Sequence, residues 1–171
     1  MAIYVPNIVA HGAYVYIREL SQIGHRIAQR ANLQKQTKRI TGNQECAYGW
    51  AVYYKGKLQN YGVPRVWPAE QPRYRNGKAY WGREQLEEFL DTYQPSGQGF
   101  ELIIVNAMWY SSLQEEGHIQ SGRTYKIITQ TWTKFKMEAG EFFTKMKVPP
   151  QQLKKMRMWY WTSNPKNNMG A

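Results

Sequence analysis

The sequence predicts an α+β fold: a small, mainly antiparallel sheet packed with an N-terminal helix and further helices, plus an extended C-terminal tail. Three observations lead there. An apolar stripe at helical spacing opens the chain, two stretches further on alternate with a period of two, and a basic, aromatic segment follows a Pro-Pro pair near the end. With 171 residues and 42% hydrophobic content, the chain is long enough for one core and too apolar for global disorder. The expected organisation is a single domain over 1–148 with an elaborated loop at 62–98, then a tail over 149–171.

Between Ala13 and Arg39, Tyr16, Leu20, Ile23, Ile27 and Ala31 recur at helical spacing, with Arg26, Arg30, Lys35 and Lys38 elsewhere around the helix. Thr41-Gly42-Asn43 is expected to end it. In "ECAYGWAVYYKGKLQNYG", Tyr48, Trp50, Val52 and Tyr54 alternate with Ala47, Gly49, Ala51 and Tyr53. That predicts a strand with one bulky and one mostly small face, and Lys55-Gly56 supplies a tight turn into a partner strand at Lys57 to Tyr61. The small face admits a close-packed helix, so the first helix is expected there.

Between Gly62 and Gln98 the composition changes, punctuated by Pro64, Pro68, Pro72 and Pro95. "WGREQLEEFLDTY" reads as one short helix within it, with Leu86, Phe89 and Leu90 on its apolar side. Ordered loops of this length are usually contact-making. "GFELIIVNAMWY" predicts the next strand, with Phe100, Leu102 and Ile104 on one face and Glu101, Ile103 and Val105 on the other. Beyond a polar break, Tyr125, Ile128, Trp132, Phe135 and Ala139 again have helical spacing, although the β-branched residues leave a strand at 125–133 as an alternative.

Composition excludes several functions. No apolar run is long enough to span a bilayer, and the N-terminus lacks a basic leader followed by an apolar block, which predicts no secretory signal and no membrane partner. The single cysteine, Cys46, allows neither an internal disulfide nor a cysteine-cluster zinc site and is expected to be buried. Assembly in a cytoplasm is the expectation. The formal charge of +11 is uneven, at +5 over 1–41, −2 over 42–122 and +8 over 123–171. Such polarity suits a polyanionic neighbour, either nucleic acid or an acidic protein surface.

Candidate chemistry is thin. Glu115, Glu116 and His118 offer too few ligands for a metal centre, and the adjacent carboxylates Glu87-Glu88 and Glu115-Glu116 point apart. Ser111 and Ser112 lack a nucleophile elbow, and no phosphate-binding loop or dinucleotide fingerprint is present. The expectation is therefore no enzyme, no catalytic or metal site and no cofactor. A hydrolase using Glu115, Glu116 or His118 stands as the enzymatic alternative. "RVWPAEQPRYRNGKAYW" and "KKMRMWYW" interleave bases with aromatics, a pattern shared by single-strand nucleic-acid binders and by protein interfaces. The expected contact residues are Trp67, Arg73, Tyr74, Arg75, Trp81, Trp159, Tyr160 and Trp161.

Helix, Thr41-Gly42-Asn43, hairpin, loop, then a strand running into Asn106-Ala107-x-Trp109-Tyr110 and Glu115/Glu116-Gly117-His118 is a distinctive order. Over roughly Ala13 to Lys136 it resembles the tail-completion or head–tail connector (neck) proteins of tailed bacteriophages. The resemblance implies an α+β virion structural protein, with helices packed against one face of a small, mainly antiparallel sheet, that assembles as a homo-oligomeric ring. The ring would join portal and capsid to tail, with portal, neck and tail proteins as partners and genome DNA in its channel. Aromatic-rich loops and arms would supply the contacts. A basic single-stranded nucleic-acid-binding module is the alternative.

Overall fold

The computed structural model describes residues 8–34, 42–63, 69–111, 157–161 and 169–170. In chain order these form α1 (Ile8–Gln34), α2 (Asn43–Ala47), β1 (Tyr48–Tyr54), β2 (Lys57–Gly62), β3 (Arg73–Arg75), β4 (Lys78–Tyr80), α3 (Gly82–Thr92), β5 (Phe100–Asn106), β6 (Arg157–Trp161) and β7 (Met169–Gly170). The main sheet has the order β2-β1-β5-β6-β7, while β3 and β4 form a separate two-stranded sheet. The expected α+β class, with helices packed on a mainly antiparallel sheet, holds.

The sheet is built around β1 and β5, which pair antiparallel along their whole lengths from Tyr48↔Asn106 to Tyr54↔Phe100. β1 turns into β2 through Lys55 and Gly56, both at positive φ (50° and 77°), the conformation that matches hairpin twist. The register shifts between Val52 and Tyr53, so Gln59 is the extra residue of a bulge.

Helices cover both faces, where the resemblance implied helices on one. On one, Leu20, Ile23, Ile27 and Ala28 of α1 pack on Tyr48, Trp50, Val52, Phe100, Leu102 and Ile104. On the other, Leu86, Phe89 and Leu90 of α3 pack on Ala51, Tyr53, Ile103, Val105 and Ala107. Each fully buried aliphatic side chain contributes about 1.5–3 kcal/mol, so both layers are core.

The expected seat of the first helix is corrected. The first helix lies on the bulky face of β1. The small residue that permits close approach is on the helix itself, where a Cβ at Gly24 would sit 3.0 Å from Trp50 Cβ and Cγ and from Leu102 Cδ1. The small face takes α3, with Leu86 filling the space a side chain at Gly49 would need. α1 is described as far as Gln34, and the expected stop at Thr41 lies outside the described residues; Gly42, at φ 75°, is the N-cap of α2. Residues 157–161 of the expected tail form β6, paired parallel to β5 from Glu101↔Arg157 to Val105↔Trp161. The expected helix at 125–139 lies outside the described residues.

β5 also carries a buried charge. Glu101 is 2% exposed on the α3 side, where its carboxylate accepts hydrogen bonds from Tyr93 Oη and from Ser96 N (2.9 Å). Those bonds compensate its desolvation. They also tie the segment after α3 to the sheet.

Candidate functional site

The sequence-predicted contact residues converge most clearly on the β3–β4 hairpin. Asn76 and Gly77, both at positive φ (51° and 75°), form its turn, the Asn-Gly signature of a tight hairpin. The register pairs Arg73 with Tyr80, Tyr74 with Ala79 and Arg75 with Lys78. Directly opposed residues share a face, so Arg73, Arg75, Lys78 and Tyr80 lie on one side and Tyr74 and Ala79 on the other.

The basic side grips the parent domain. Just after β5, Trp109 and Tyr110 stack edge to face with centroids 5.1 Å apart. The Arg75 guanidinium lies 5.0 Å from the Trp109 ring centroid, and Lys78 Nζ lies 5.2 Å from that of Tyr80. Contacts of this kind contribute about 0.5–1 kcal/mol at exposed sites and more when desolvated. Burial pushes the Tyr110 hydroxyl above its ordinary pKa, while a hydrogen bond from Arg73 and the charge of that guanidinium pull the other way. The other side of the hairpin faces water, with Tyr74 68% exposed.

A second clamp sets the hairpin's two ends. Asn43 is fully buried at the start of α2. Its Oδ1 accepts a hydrogen bond from Gly82 N (2.7 Å), and its Nδ2 donates to Gln71 O. Gln71 precedes β3 and Gly82 follows β4, so one side chain brackets the hairpin. The approach is backbone to backbone, because a Cβ on Gly82 would fall 1.9 Å from Asn43 O. The Ala107 N–H donates to Ala47 O (3.2 Å), joining the residues around Asn43 to those around Trp109.

Among the predicted contact residues, Arg73, Tyr74 and Arg75 therefore sit together. Trp81 is half-buried at the N-cap of α3, and its carbonyl accepts from Gln85 N at 3.0 Å. Trp159, Tyr160 and Trp161 are placed elsewhere, in β6 beside Ile103, Ile104 and Val105. Trp67, Glu115, Glu116, His118 and Ser112 lie outside the described residues. Sequence reasoning passed over Lys78, Tyr80, Trp109 and Tyr110 as members of this surface. The Asn76-Gly77 dipeptide was the signal that a hairpin would align the first two with the arginines.

Cys46 is buried, as expected. Among the described residues, no helix is long and apolar enough to cross a membrane, and no cluster of three metal-ligating side chains forms. No family model matches the chain, and no curated protein or solved structure is significantly similar to it.

Proposed function

We propose that the chain is a non-enzymatic structural subunit of the neck of a tailed bacteriophage, a ring-forming protein that joins portal and capsid to tail around the DNA channel. One observation carries this reading. The residues of the two motifs behind the resemblance, Asn43 and Trp109-Tyr110, converge on one exposed hairpin and hold it from both ends and from beneath. A rigid arm suits a ring subunit, because a preorganised element loses little entropy on docking. Tyr74 is its outward anchor. Exposed tyrosine supplies large amphipathic contact area, and such residues dominate interface energetics. A head-to-tail contact of this kind closes into a ring when its rotation permits.

Single-strand nucleic-acid binding is supported by the charge of +11 and opposed by the local geometry. The Trp109 and Tyr80 rings already carry Arg75 and Lys78, which leaves Tyr74 as the hairpin's outward stacking platform.

The test is incorporation of Tyr74→Ala into assembled particles. Truncating this exposed side chain should change folding stability by less than about 0.5 kcal/mol. Assembly should nevertheless fall sharply. Particles formed at wild-type yield would remove the hairpin from the contact surface.

A further inference from the structure

Arg75 and Lys78 stand at the end of the β3–β4 hairpin, directly opposed across the Asn76-Gly77 turn, and both are exposed. The Arg75 guanidinium lies 5.0 Å from the Trp109 ring centroid, and Lys78 Nζ lies 5.2 Å from that of Tyr80. A guanidinium stacked on a ring keeps its N–H groups for a carboxylate. Arg73, by contrast, is engaged by the Tyr110 hydroxyl.

A surface of opposite charge lies on the next element. The acids of α3 recur at i, i+3, i+4 and i+7 as Glu84, Glu87, Glu88 and Asp91, all exposed. They occupy the helix face opposite Leu86, Phe89 and Leu90, which pack on the sheet. In a chain with 12 acids and a net charge of +11, this face concentrates the negative charge. Among the described residues, neither Arg75 nor Lys78 has an ion pair. Of the four acids only Glu87 has one, with Arg83 at 2.8 Å. The bond from Gly82 N to Asn43 and that between Arg73 and Tyr110 hold the hairpin in place. Folding therefore leaves charges of both signs unmatched on two separate elements of one molecule.

Their spacings match. Directly opposed residues of an antiparallel pair have Cβ atoms about 4.5–5.5 Å apart. Residues three or four apart on a helix are separated by about 5–6 Å. Arg75 and Lys78 can thus meet Glu88 and Asp91, or Glu84 and Glu88, one to one. A nucleic acid would reach the same cations beside an acidic helix that repels it.

We infer that Arg75 and Lys78 of one copy dock on the Glu84, Glu88 and Asp91 face of α3 in the next copy. The contact joins two different patches, so it propagates head to tail and closes a ring when its rotation permits. Tyr74, next to Arg75 in the chain, borders the same contact. The inference rests on reading the hairpin as the arm between subunits, and it names what the arm touches.

The test is sedimentation velocity of the full chain over a range of concentrations at low salt. One variant carries Arg75→Glu with Lys78→Glu, a second Glu88→Lys with Asp91→Lys, and a third all four changes. Wild type should associate as concentration rises, and added salt should weaken that association. Each two-charge reversal should weaken it at least about tenfold. An equimolar mixture of the two reversed chains should associate like wild type, because every hairpin then finds a helix of opposite charge. The chain with all four changes should do the same. Mixing does not rescue a misfolded chain, so recovery separates a lost contact from lost structure. A wild type that stays monomeric at every concentration would overturn the inference and leave the hairpin to a different acidic molecule. Reversals without effect, or a loss that neither the mixture nor the four changes together recover, would overturn it as well. Association in solution needs no virus, so this inference and the neck reading can fail separately.

Discussion

Gly82→Ala tests the clamp that fixes the hairpin, and its sign is diagnostic. On an unconstrained helix, replacing glycine by alanine stabilises by up to about 1 kcal/mol. Here the new Cβ would lie 1.9 Å from the Asn43 carbonyl oxygen, where ordinary contact begins near 3.4 Å. The start of α3 must therefore retreat from α2 by about 1.5 Å, enough to break the 2.7 Å hydrogen bond from Gly82 N to Asn43 Oδ1. Leaving the fully buried Asn43 oxygen without that donor costs about 1–3 kcal/mol. Shifting Leu86 and Phe89 within their layer adds about 1–3 kcal/mol. Set against the helix-propensity gain, a net loss of about 1–5 kcal/mol is expected. Urea unfolding read by far-ultraviolet circular dichroism measures it. A neutral or stabilising Gly82→Ala would refute the backbone-to-backbone packing of α2 on α3.

Gly24→Ala should likewise destabilise, by about 1–3 kcal/mol, because its Cβ would crowd Trp50 and Leu102; a gain in urea stability would contradict α1 lying on the bulky face. Tyr53, 3% exposed, has its hydroxyl pushed up to about 12 from 10.0, first by burial and then by Glu101 and Asp91. The folded state disfavours the phenolate, so this contribution is complete below pH 10 and is lost as pH rises towards 12. Between those limits the wild-type chain should lose about 2 kcal/mol more stability than Tyr53→Phe, as read from urea midpoints. At neutral pH Tyr53→Phe should stabilise by about 1–3 kcal/mol, because it removes a buried hydroxyl that has no hydrogen-bond partner among the described residues. Deleting 157–171 should expose the β5 edge and raise amide exchange along Ile103–Val105; unchanged exchange would mean that β6 adds nothing to the sheet.

Much of the scaffold was legible because its signals are local. The stripe through Leu20, Ile23 and Ile27, the alternation in β1 and β5, the Lys55-Gly56 turn and the apolar side of α3 are each readable within a few residues. The sidedness was misread because closeness of packing belongs to a pair of surfaces. Gly24 on the helix, rather than Gly49 and Ala51 on the strand, makes room for Trp50. α2, with five residues, is too short to show a period, and its start depends on the left-handed backbone of Gly42. β6 pairs with a strand more than fifty residues away in the chain, and nothing local encodes that register.

The contact surface was half legible for the same reason. Arg73, Tyr74 and Arg75 declare themselves by basic–aromatic interleaving. Trp109 and Tyr110 become their partners only when the chain returns through β5. Asn43, which sets the hairpin's ends, looked like a helix stop. Its two clamping bonds span 28 and 39 residues, beyond the reach of any local pattern.

The central proposal is that this chain is a ring subunit of a phage neck, touching its neighbours through the β3–β4 hairpin. Electron microscopy of tailed-phage particles assembled with the chain tests this proposal most directly. The account predicts repeated density for the α1–sheet–α3 sandwich around the axis between portal and tail, with Tyr74 buried against the adjoining subunit. Particles complete in neck and tail that contain no copy of the chain, or copies whose hairpin points into solvent, would contradict it.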